Sequence, residues 1–335
     1  MAEHQQFFPI SLAVMQPGTL APVDLYIRVP GATSYTLYRS ARTPLTEEIR
    51  QRLLDRGVNA LHLRSEDKDA YYGYVEEHIQ QIVRDELLPL EEACSLVYES
   101  STRVMKEVFE DPRSGKSIQR AERMVDATVL AIMKEPDALW YMTAMASHDY
   151  YTYTHSVNVC VFLIAATREL LDVDSTSRLR QIGLGGLLHD IGKSRVPGDI
   201  LSKPGPLSEE EFDMVKQHPL AGLEIVEQVR SLPLEPTSII RSHHERLDGS
   251  GYPDGLSGEA IAWLPRLAGI IDTYDALTTK RSYAAVRTPF EALQLMLSEG
   301  EDRLDLDLLH RFVKFLGPDE LSAGNSRSDR KLAGI

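Results

Sequence analysis

The chain has 335 residues, a length that favours two domains over one compact core. Its 43% hydrophobic and 26% charged residues are typical of a globular protein and exclude a disordered one. A net charge of −14 argues against binding to a nucleic-acid polymer, because such affinity comes from neutralising many phosphates. A small phosphate-bearing ligand stays open, since bound metal ions and a few basic residues make one cleft positive.

The segment 1–88 mixes strand and helix signals. Short apolar stretches at 10–15, 25–29 and 34–38 are β-branched or aromatic and are separated by Pro and Gly, which predicts strands. A helix is predicted to open in the segment 43–48, run through Leu54 and end at Gly57. A further strand is predicted at 60–63, and a helix from about Glu66. We expect a small α/β domain with a regulatory or sensory role.

The pattern from Leu90 onward is helical almost throughout, with breaks at 112–115 and at Pro136. The fold class is therefore predicted as mainly α, with a helical domain over 89–335, a motif-bearing core at about 145–316 and a loose C-terminal tail. The helical stretch 90–145 makes a homodimer a reasonable expectation. Gly183, Gly185 and Gly186 resemble a phosphate loop, but no strand precedes them, so close helix packing is predicted instead.

The cellular location is predicted from the N-terminal sequence, the length of the apolar runs and the spacing of the two cysteines. The N-terminus has no basic region followed by a long apolar stretch, so we expect no signal peptide. The apolar run 157–166 is too short to cross a bilayer. Cys94 and Cys160 lie far apart with no CxxC motif, which favours a reducing compartment. We therefore expect a cytoplasmic protein with no membrane contact.

Five of the ten histidines fall in short contexts between residues 155 and 244. Each is a modest signal by itself, since a lone histidine such as His155 is usually a hydrogen-bonded core residue, but together they are hard to explain as packing. His189-Asp190 ends an apolar stretch, as Asp272 does further along, and burying such groups is costly unless they are paired or coordinated. The adjacent His243 and His244 would repel each other if both were charged, whereas a metal needs both neutral. The candidate ligands are His155, His189, Asp190, His218, His243, His244 and Asp272.

Seven such ligands are too many for one metal ion and suit two. Imidazole binds Fe, Mn, Ni and Zn, and a carboxylate bridges two ions. Two ions about 3.5–4 Å apart clamp a phosphoryl group and activate water for in-line attack. There is no HExxH, no GxSxG and no P-loop in the sequence, so the commoner zinc-protease, serine-hydrolase and NTPase alternatives are excluded.

At this point three motifs match a family. HDIGK at 189–193, HHERLDGSGYP at 243–253 and DTYDALT at 272–278 closely resemble the HD-GYP subgroup of the HD phosphohydrolases. The resemblance implies an all-helical HD-type bundle, two divalent transition-metal ions (Fe or Mn, with Ni or Zn also compatible) and hydrolysis of cyclic-di-GMP to pGpG, which some members of the family cleave further to GMP. A metal-bridging hydroxide would attack the phosphorus. A diguanylate cyclase is a further expected partner.

The resemblance also assigns individual roles. Asp190 would bridge the ions, His155, His189 and Asp272 would favour one ion, and His218, His243 and His244 the other. Lys193 would act beside the scissile phosphate as a catalytic residue. The expected substrate contacts are Lys193, Tyr252, Asp275 and Arg281, with Asp275 orienting a ligand or Lys193.

Two departures from the family pattern keep alternatives open. Tyr151 stands where some members have a glutamate linked to a third metal, so two metals are expected. Ser282-Tyr283-Ala284 lacks a cation that many members carry, which weakens a phosphate contact. The alternatives are a hydrolase of pGpG or another cyclic dinucleotide, and a non-catalytic receptor or scaffold. The complete ligand set argues against the receptor.

Overall fold

A computed structural model describes residues 6–28, 34–135, 137–145, 152–229, 231–279, 287–299 and 302–317. The predicted fold class is confirmed: the chain is mainly helical, with one small antiparallel sheet near the N-terminus. The strands are β1 (Phe7–Ser11), β2 (Leu25–Arg28), β3 (Tyr35–Arg39) and β4 (Ala60–Arg64). Two helices complete this region, α1 (Glu47–Asp55) and α2 (Lys68–Arg84).

The sheet has the strand order β1-β4-β2-β3, and every neighbouring pair is antiparallel. Ile10 of β1 lies opposite Leu61 of β4, and alternate residues of β4 (Leu61 and Leu63) are completely buried. This period of two is the pattern expected of a sheet with one face in the core. The α2 helix contributes Ile79 and Ile82 to the buried residues of the same region.

The start of α1 lies within the segment 43–48 that the sequence predicts. The helix begins at Glu47, because the Thr46 side chain accepts a hydrogen bond from the Ile49 amide and acts as the N-cap. The predicted end is confirmed: Gly57 has φ 73°, a left-handed conformation that glycine adopts at little cost, and its amide bonds to the Leu54 carbonyl.

Helices dominate the described residues after 88. They are α3 (Leu90–Glu110), α4 (Gly115–Lys134), α5 (Ala138–Ala144), α6 (Thr152–Leu171), α7 (Thr176–Leu188), α8 (Gly198–Leu201), α9 (Glu209–Lys216), α10 (His218–Val229), α11 (Leu234–Ser242), α12 (Trp263–Thr278), α13 (Pro289–Glu299) and α14 (Leu306–Leu316). Within the described residues, no helix is both long enough and apolar enough to cross a bilayer.

The glycines of α7 are there for packing, as predicted. A methyl group at Gly183 would lie 2.6 Å from Ile164 Cδ1, and one at Gly186 would lie 2.7 Å from Leu163 Cδ1, both on α6. A methyl group at Gly185 would meet Ile239 of α11 at 2.7 Å. Because any side chain would force these helices apart, glycine lets α7 lie close to both neighbours. The end of α7, with His189 and Asp190, is thereby fixed beside α6 and α11.

The chain divides into two compact units. One comprises residues 1–100 and 126–138, and contains the sheet with α1 and α2. The other comprises residues 101–125 and 139–335, and contains every candidate metal ligand. The domain boundary predicted at residues 88 and 89 stays a prediction.

Candidate metal centre

Five elements of the second unit bring the seven candidate ligands together. His155 lies near the start of α6, His189 and Asp190 follow α7, and His218 begins α10. His243 and His244 follow α11, and Asp272 lies in the middle of α12. His155 and Asp190 are fully buried, and His189, His218 and His243 are 1% exposed. Such a concentration of ionisable groups in a core requires pairing or coordination.

Four of the histidines have one ring nitrogen occupied by an acceptor. The Nδ1 atoms of His189, His218 and His243 lie 2.7 Å from Gly186 O, 2.8 Å from Val215 O and 3.0 Å from Ile239 O. The Nδ1 atom of His155 lies 2.7 Å from a carboxylate oxygen of Asp275. Since these partners only accept hydrogen bonds, each Nδ1 carries the proton. In His189, His218 and His243 this leaves Nε2 with a lone pair directed into the cluster.

The lone pairs meet in two groups that share Asp190. His155, His189 and Asp190 offer ligand atoms that all lie within 4.8 Å of one another, and so do Asp190, His218, His243 and His244. Asp272 lies beside both groups: its Oδ1 is 2.9 Å from His155 Nε2, and its Oδ2 is 3.7 Å from His244 Nδ1. The arrangement therefore has the form of two adjacent sites with one common carboxylate.

The converging nitrogen and oxygen atoms of this cluster are better satisfied by a divalent cation than by contacts with one another. His218 Nε2 and His243 Nε2 are 3.3 Å apart with no proton on either nitrogen once both Nδ1 atoms are protonated. Within the part of the chain described, His189 Nε2 and Asp190 Oδ1 are buried and make no hydrogen bond of acceptable geometry. Converging acceptors with no donor are costly to bury, and a metal ion removes that cost. The donor set thus indicates a divalent metal centre.

The ionisation states agree with this chemistry. Burial lowers the pKa of His218 to about 4, and burial together with neighbouring imidazoles lowers the pKa values of His243 and His244 well below 6.5. Burial raises the pKa of Asp190, but the Lys193 ammonium and His189 outweigh it and hold that pKa well below 3.8. At neutral pH these imidazoles are neutral and this carboxylate is ionised, as metal binding requires.

The metal-free protein is expected to lose stability as the pH falls from 7 to 5. Over this range the unfolded chain binds a proton at residue 218, with its usual pKa of 6.5, while the folded chain, with a pKa of about 4, does not. That difference lowers the free energy of unfolding by about 2 kcal/mol at pH 5. Urea titrations of metal-stripped protein at both pH values measure it, with His218→Gln as the comparison. A variant as sensitive to pH as the unmodified chain would contradict the assignment.

A second layer of side chains orients His155. Asp275, 2% exposed, accepts a hydrogen bond from His155 Nδ1, and its other oxygen accepts one from Asn158 Nδ2 at 2.9 Å. This geometry supports the predicted role of Asp275 in orienting a ligand. Asn158 was missed from the sequence. The available signal was a single amide side chain one turn after His155 on an otherwise apolar helix.

Replacing Asn158 with Leu is expected to weaken metal binding by about 10–100-fold, because Asp275 then loses a donor and His155 loses its fixed orientation. Competition with a chelating indicator measures the affinity. Asn59→Leu in the other unit is the matched control, since it changes the same side chain far along the chain from any ligand. Equal affinity in Asn158→Leu and the unmodified protein would refute the orienting role.

Lys193 lies directly on the shared carboxylate. Its Nζ is 2.6 Å from Asp190 Oδ2, and its side chain is 18% exposed. The segment 191–195 forms a short 3₁₀ helix that carries this lysine one turn past Asp190. The structure thus places the predicted catalytic cation at the edge of the candidate centre, within reach of an anion bound there.

The loop after His244 folds back over His244 and His218. The Tyr252 amide bonds to the His244 carbonyl, and the Tyr252 ring lies 4.6 Å from the His244 ring and 6.2 Å from the His218 ring. A methyl group at Gly251 would lie 2.4 Å from Glu245 Cα, so only glycine permits this close return. Tyr252 therefore lines the metal centre, where the sequence placed a substrate contact.

Glu245 holds this loop and was missed from the sequence, although it lies within the HHERLDGSGYP motif. Its carboxylate is buried and accepts hydrogen bonds from the Asp254 amide at 2.7 Å and the Leu256 amide at 2.9 Å. Arg241 adds two bonds to the Asp254 carboxylate, both at 2.7 Å. These contacts fix the chain on the far side of Tyr252 and Pro253.

The Glu245→Gln variant is expected to lose about 1–3 kcal/mol of unfolding free energy, because its amide presents a donor to one of the two backbone N–H groups. Denaturant titration measures the loss. Glu259→Gln changes an exposed side chain in the same region and should leave stability unchanged. The idea fails if the two variants are equally stable.

Some residues singled out from the sequence lie outside the described residues. Arg281, expected to contact substrate, is among them, together with Tyr151 and the segment 282–284. Their roles stay predictions.

The fold and the ligand set are those of a helical domain with a candidate divalent metal centre. In comparison with known proteins, residues 156–308 match the model of the HD domain family. A solved structure, the HDG"Y"P protein Bd1817 from Bdellovibrio bacteriovorus, covers 93% of this chain and 99% of its own with a TM-score of 0.64. Its sequence identity is 20%, so this likeness concerns the fold alone.

Curated relatives make the resemblance more specific than the family and fold matches do. Cyclic di-GMP phosphodiesterase PA4108 of Pseudomonas aeruginosa is 39% identical over 212 residues, which are 63% of this chain and 50% of the relative. The response regulator RpfG of Xanthomonas campestris, also named a cyclic di-GMP phosphodiesterase, is 39% identical over 126 residues, or 37% and 33% of the two chains. The chain thus spans half or less of these relatives' lengths. They confirm the resemblance to cyclic di-GMP phosphodiesterases that the motifs predicted.

Proposed function

We propose that this protein is a metal-dependent phosphodiesterase that opens cyclic-di-GMP to linear pGpG and cleaves pGpG further to GMP. The observation that carries the proposal is the cluster of six histidine and aspartate side chains, whose candidate ligand atoms converge in two groups that share Asp190, with Asp272 beside both groups. In each cleavage, water is added to phosphorus and the bond from phosphorus to the ribose 3′ oxygen breaks. The names of the relatives support the choice of substrate.

Two metal ions would be held with Asp190 as the bridging ligand. His155, His189 and Asp272 would complete one site, and His218, His243 and His244 the other, which accords with the two groups of ligand atoms. When bound, the ions supply the positive charge that activates water and neutralises the phosphoryl oxygens. The mixture of imidazole and carboxylate donors suits Fe or Mn, and Ni or Zn are also compatible.

The protein's own side chains then position the substrate. Lys193 Nζ, beside Asp190, is placed to hold a phosphate oxygen and to stabilise the charge that develops there. Tyr252 would line the pocket through the ring that covers His244. Arg281 is proposed as a further contact with phosphate or guanine on the strength of the family motif alone.

A second candidate is a hydrolase of another cyclic dinucleotide. The 3'3'-cGAMP-specific phosphodiesterase 1 of Vibrio cholerae is 38% identical over 168 residues, or 49% of this chain and 38% of its own length. The metal ligands do not contact a base, so they do not discriminate between these substrates. Activity on pGpG alone and a receptor without catalysis stay as alternatives. The cytoplasmic location, the homodimer and the cyclase partner stay predictions of the sequence.

Product analysis by chromatography tests the proposal. Protein purified without oxygen and loaded with Fe²⁺ or Mn²⁺ would be incubated with cyclic-di-GMP, with the Asp190→Ala protein as the control. We expect pGpG or GMP only with the unmodified chain. No product despite two metal ions per chain by elemental analysis would favour another nucleotide substrate. No product and no bound metal would favour the receptor.

A further inference from the structure

Phe212 is an aromatic side chain that contributes little to the core. It lies on α9, an eight-residue helix with a capping box between Ser208 and Glu211, and it is 46% exposed. A single exposed apolar residue is ordinary on a protein surface. The position of Phe212 gives it significance, because its ring contacts Tyr252, which in turn lies beside the candidate ligand His244.

Tyr252 separates Phe212 from the metal ligands. The centroids of the Phe212 and Tyr252 rings are 6.4 Å apart with the planes at 84°, an edge-to-face contact. The other neighbours of Tyr252 are the rings of His244 at 4.6 Å and His218 at 6.2 Å. An aromatic wall, Phe212 and Tyr252, therefore extends outward from the ligands of one proposed metal ion.

The side chain of Lys216 lies over the ring face of Phe212. Lys216 Nζ lies 4.9 Å from the ring centroid, as a cation does over an aromatic face. This lysine is itself 32% exposed and is paired with Asp213 on the same helix at 2.6 Å. Because the side chain over the ring is half-buried at the surface of α9, a planar ligand would displace it without disturbing the core.

Nucleotide chemistry matches this arrangement. In a nucleotide one ribose separates the base from its phosphate, and here one aromatic residue separates Phe212 from the histidines that would hold the phosphate-binding metals. Base stacking on an aromatic side chain contributes about 1–3 kcal/mol per base. We propose that Phe212 determines specificity by contacting a nucleobase while its phosphate lies at the metal centre. The choice of a purine nucleotide rests on the function proposed above.

The test compares two ligands that differ in the base. GMP and ribose 5-phosphate share the ribose and the phosphate, so calorimetric titration of each into the Mn²⁺-loaded full chain isolates the base. In Phe212→Leu we expect the GMP affinity to fall about tenfold and the ribose 5-phosphate affinity to be unchanged. Phe212→Trp should retain the GMP affinity, because its ring also stacks. Met214→Leu, 45% exposed on the same helix, is the matched control and should change neither.

Any of the following results would contradict the role proposed for Phe212. It fails if Phe212→Leu leaves the GMP affinity unchanged, if both ligands weaken together, if Trp does not restore binding, or if the unmodified chain binds neither ligand. Failure of the proposed function is separate: without hydrolysis of cyclic-di-GMP, a Phe212-dependent GMP affinity still supports the base contact. Conversely, hydrolysis with a GMP affinity independent of Phe212 removes the inference and leaves the function.

Discussion

Replacing Asp190 with Ala is expected to remove both metal ions and to lower phosphodiesterase activity by a factor of about 10³ or more. The reason is geometric, since Asp190 is the residue common to both groups of converging ligand atoms. Without its oxygens the histidines on either side have no shared anion to hold two cations close together. The loss therefore exceeds that of any ligand that serves a single site.

Elemental analysis of metal per chain, followed by product analysis, measures this effect. The Asp190→Asn variant tests the bridging role more directly, because an amide has the same shape as a carboxylate but only one oxygen. We expect this variant to retain at most one metal ion per chain. Asp199→Ala, an exposed aspartate nine residues further on, is the control and should keep both ions and full activity. Two ions and undiminished activity in Asp190→Ala would exclude the bridging role.

The sequence predicted the candidate metal ligands better than it predicted the residues that hold them in position. The candidate metal ligands were predicted because buried ionisable side chains at the ends of apolar runs are costly, a signal that is local to each motif. The structure brings these side chains together. The packing role of Gly183, Gly185 and Gly186 was likewise confirmed, since the absence of a preceding strand already excluded a phosphate loop. In both cases the predictive signal came from residues that are close together in the sequence.

What sequence reasoning missed depends on residues far apart in the chain. Asn158 acquires its role from Asp275, 117 residues away, and Glu245 acquires its role from two backbone amides that lie nearby only after the loop returns. Backbone carbonyls such as Gly186 O fix the histidine protons, yet a carbonyl is present at every position and carries no sequence signal.

Gly192 lies two residues after Asp190 and packs directly against the backbone of α10, the helix that begins with His218. A methyl group there would lie 1.9 Å from His218 O and 2.6 Å from Gly222 N, both on α10. The glycine between Asp190 and Lys193 thus lets the 3₁₀ segment 191–195 touch the backbone of α10 directly. Since neither partner is a flexible side chain, the contact relaxes only if the segment and the helix move apart.

The Gly192→Ala variant is therefore expected to lose about 3 kcal/mol or more of unfolding free energy, the upper range for overpacking a core. Its metal affinity should fall as well, because separating residue 192 from residue 218 separates Asp190 from His218. Denaturant titration and metal analysis measure the two effects. Gly198→Ala, six residues later, is the control: a methyl group there meets no atom within 4 Å, so stability should change by less than about 0.5 kcal/mol. If Gly192→Ala behaves like the control, the close approach is not what holds Asp190 and His218 together.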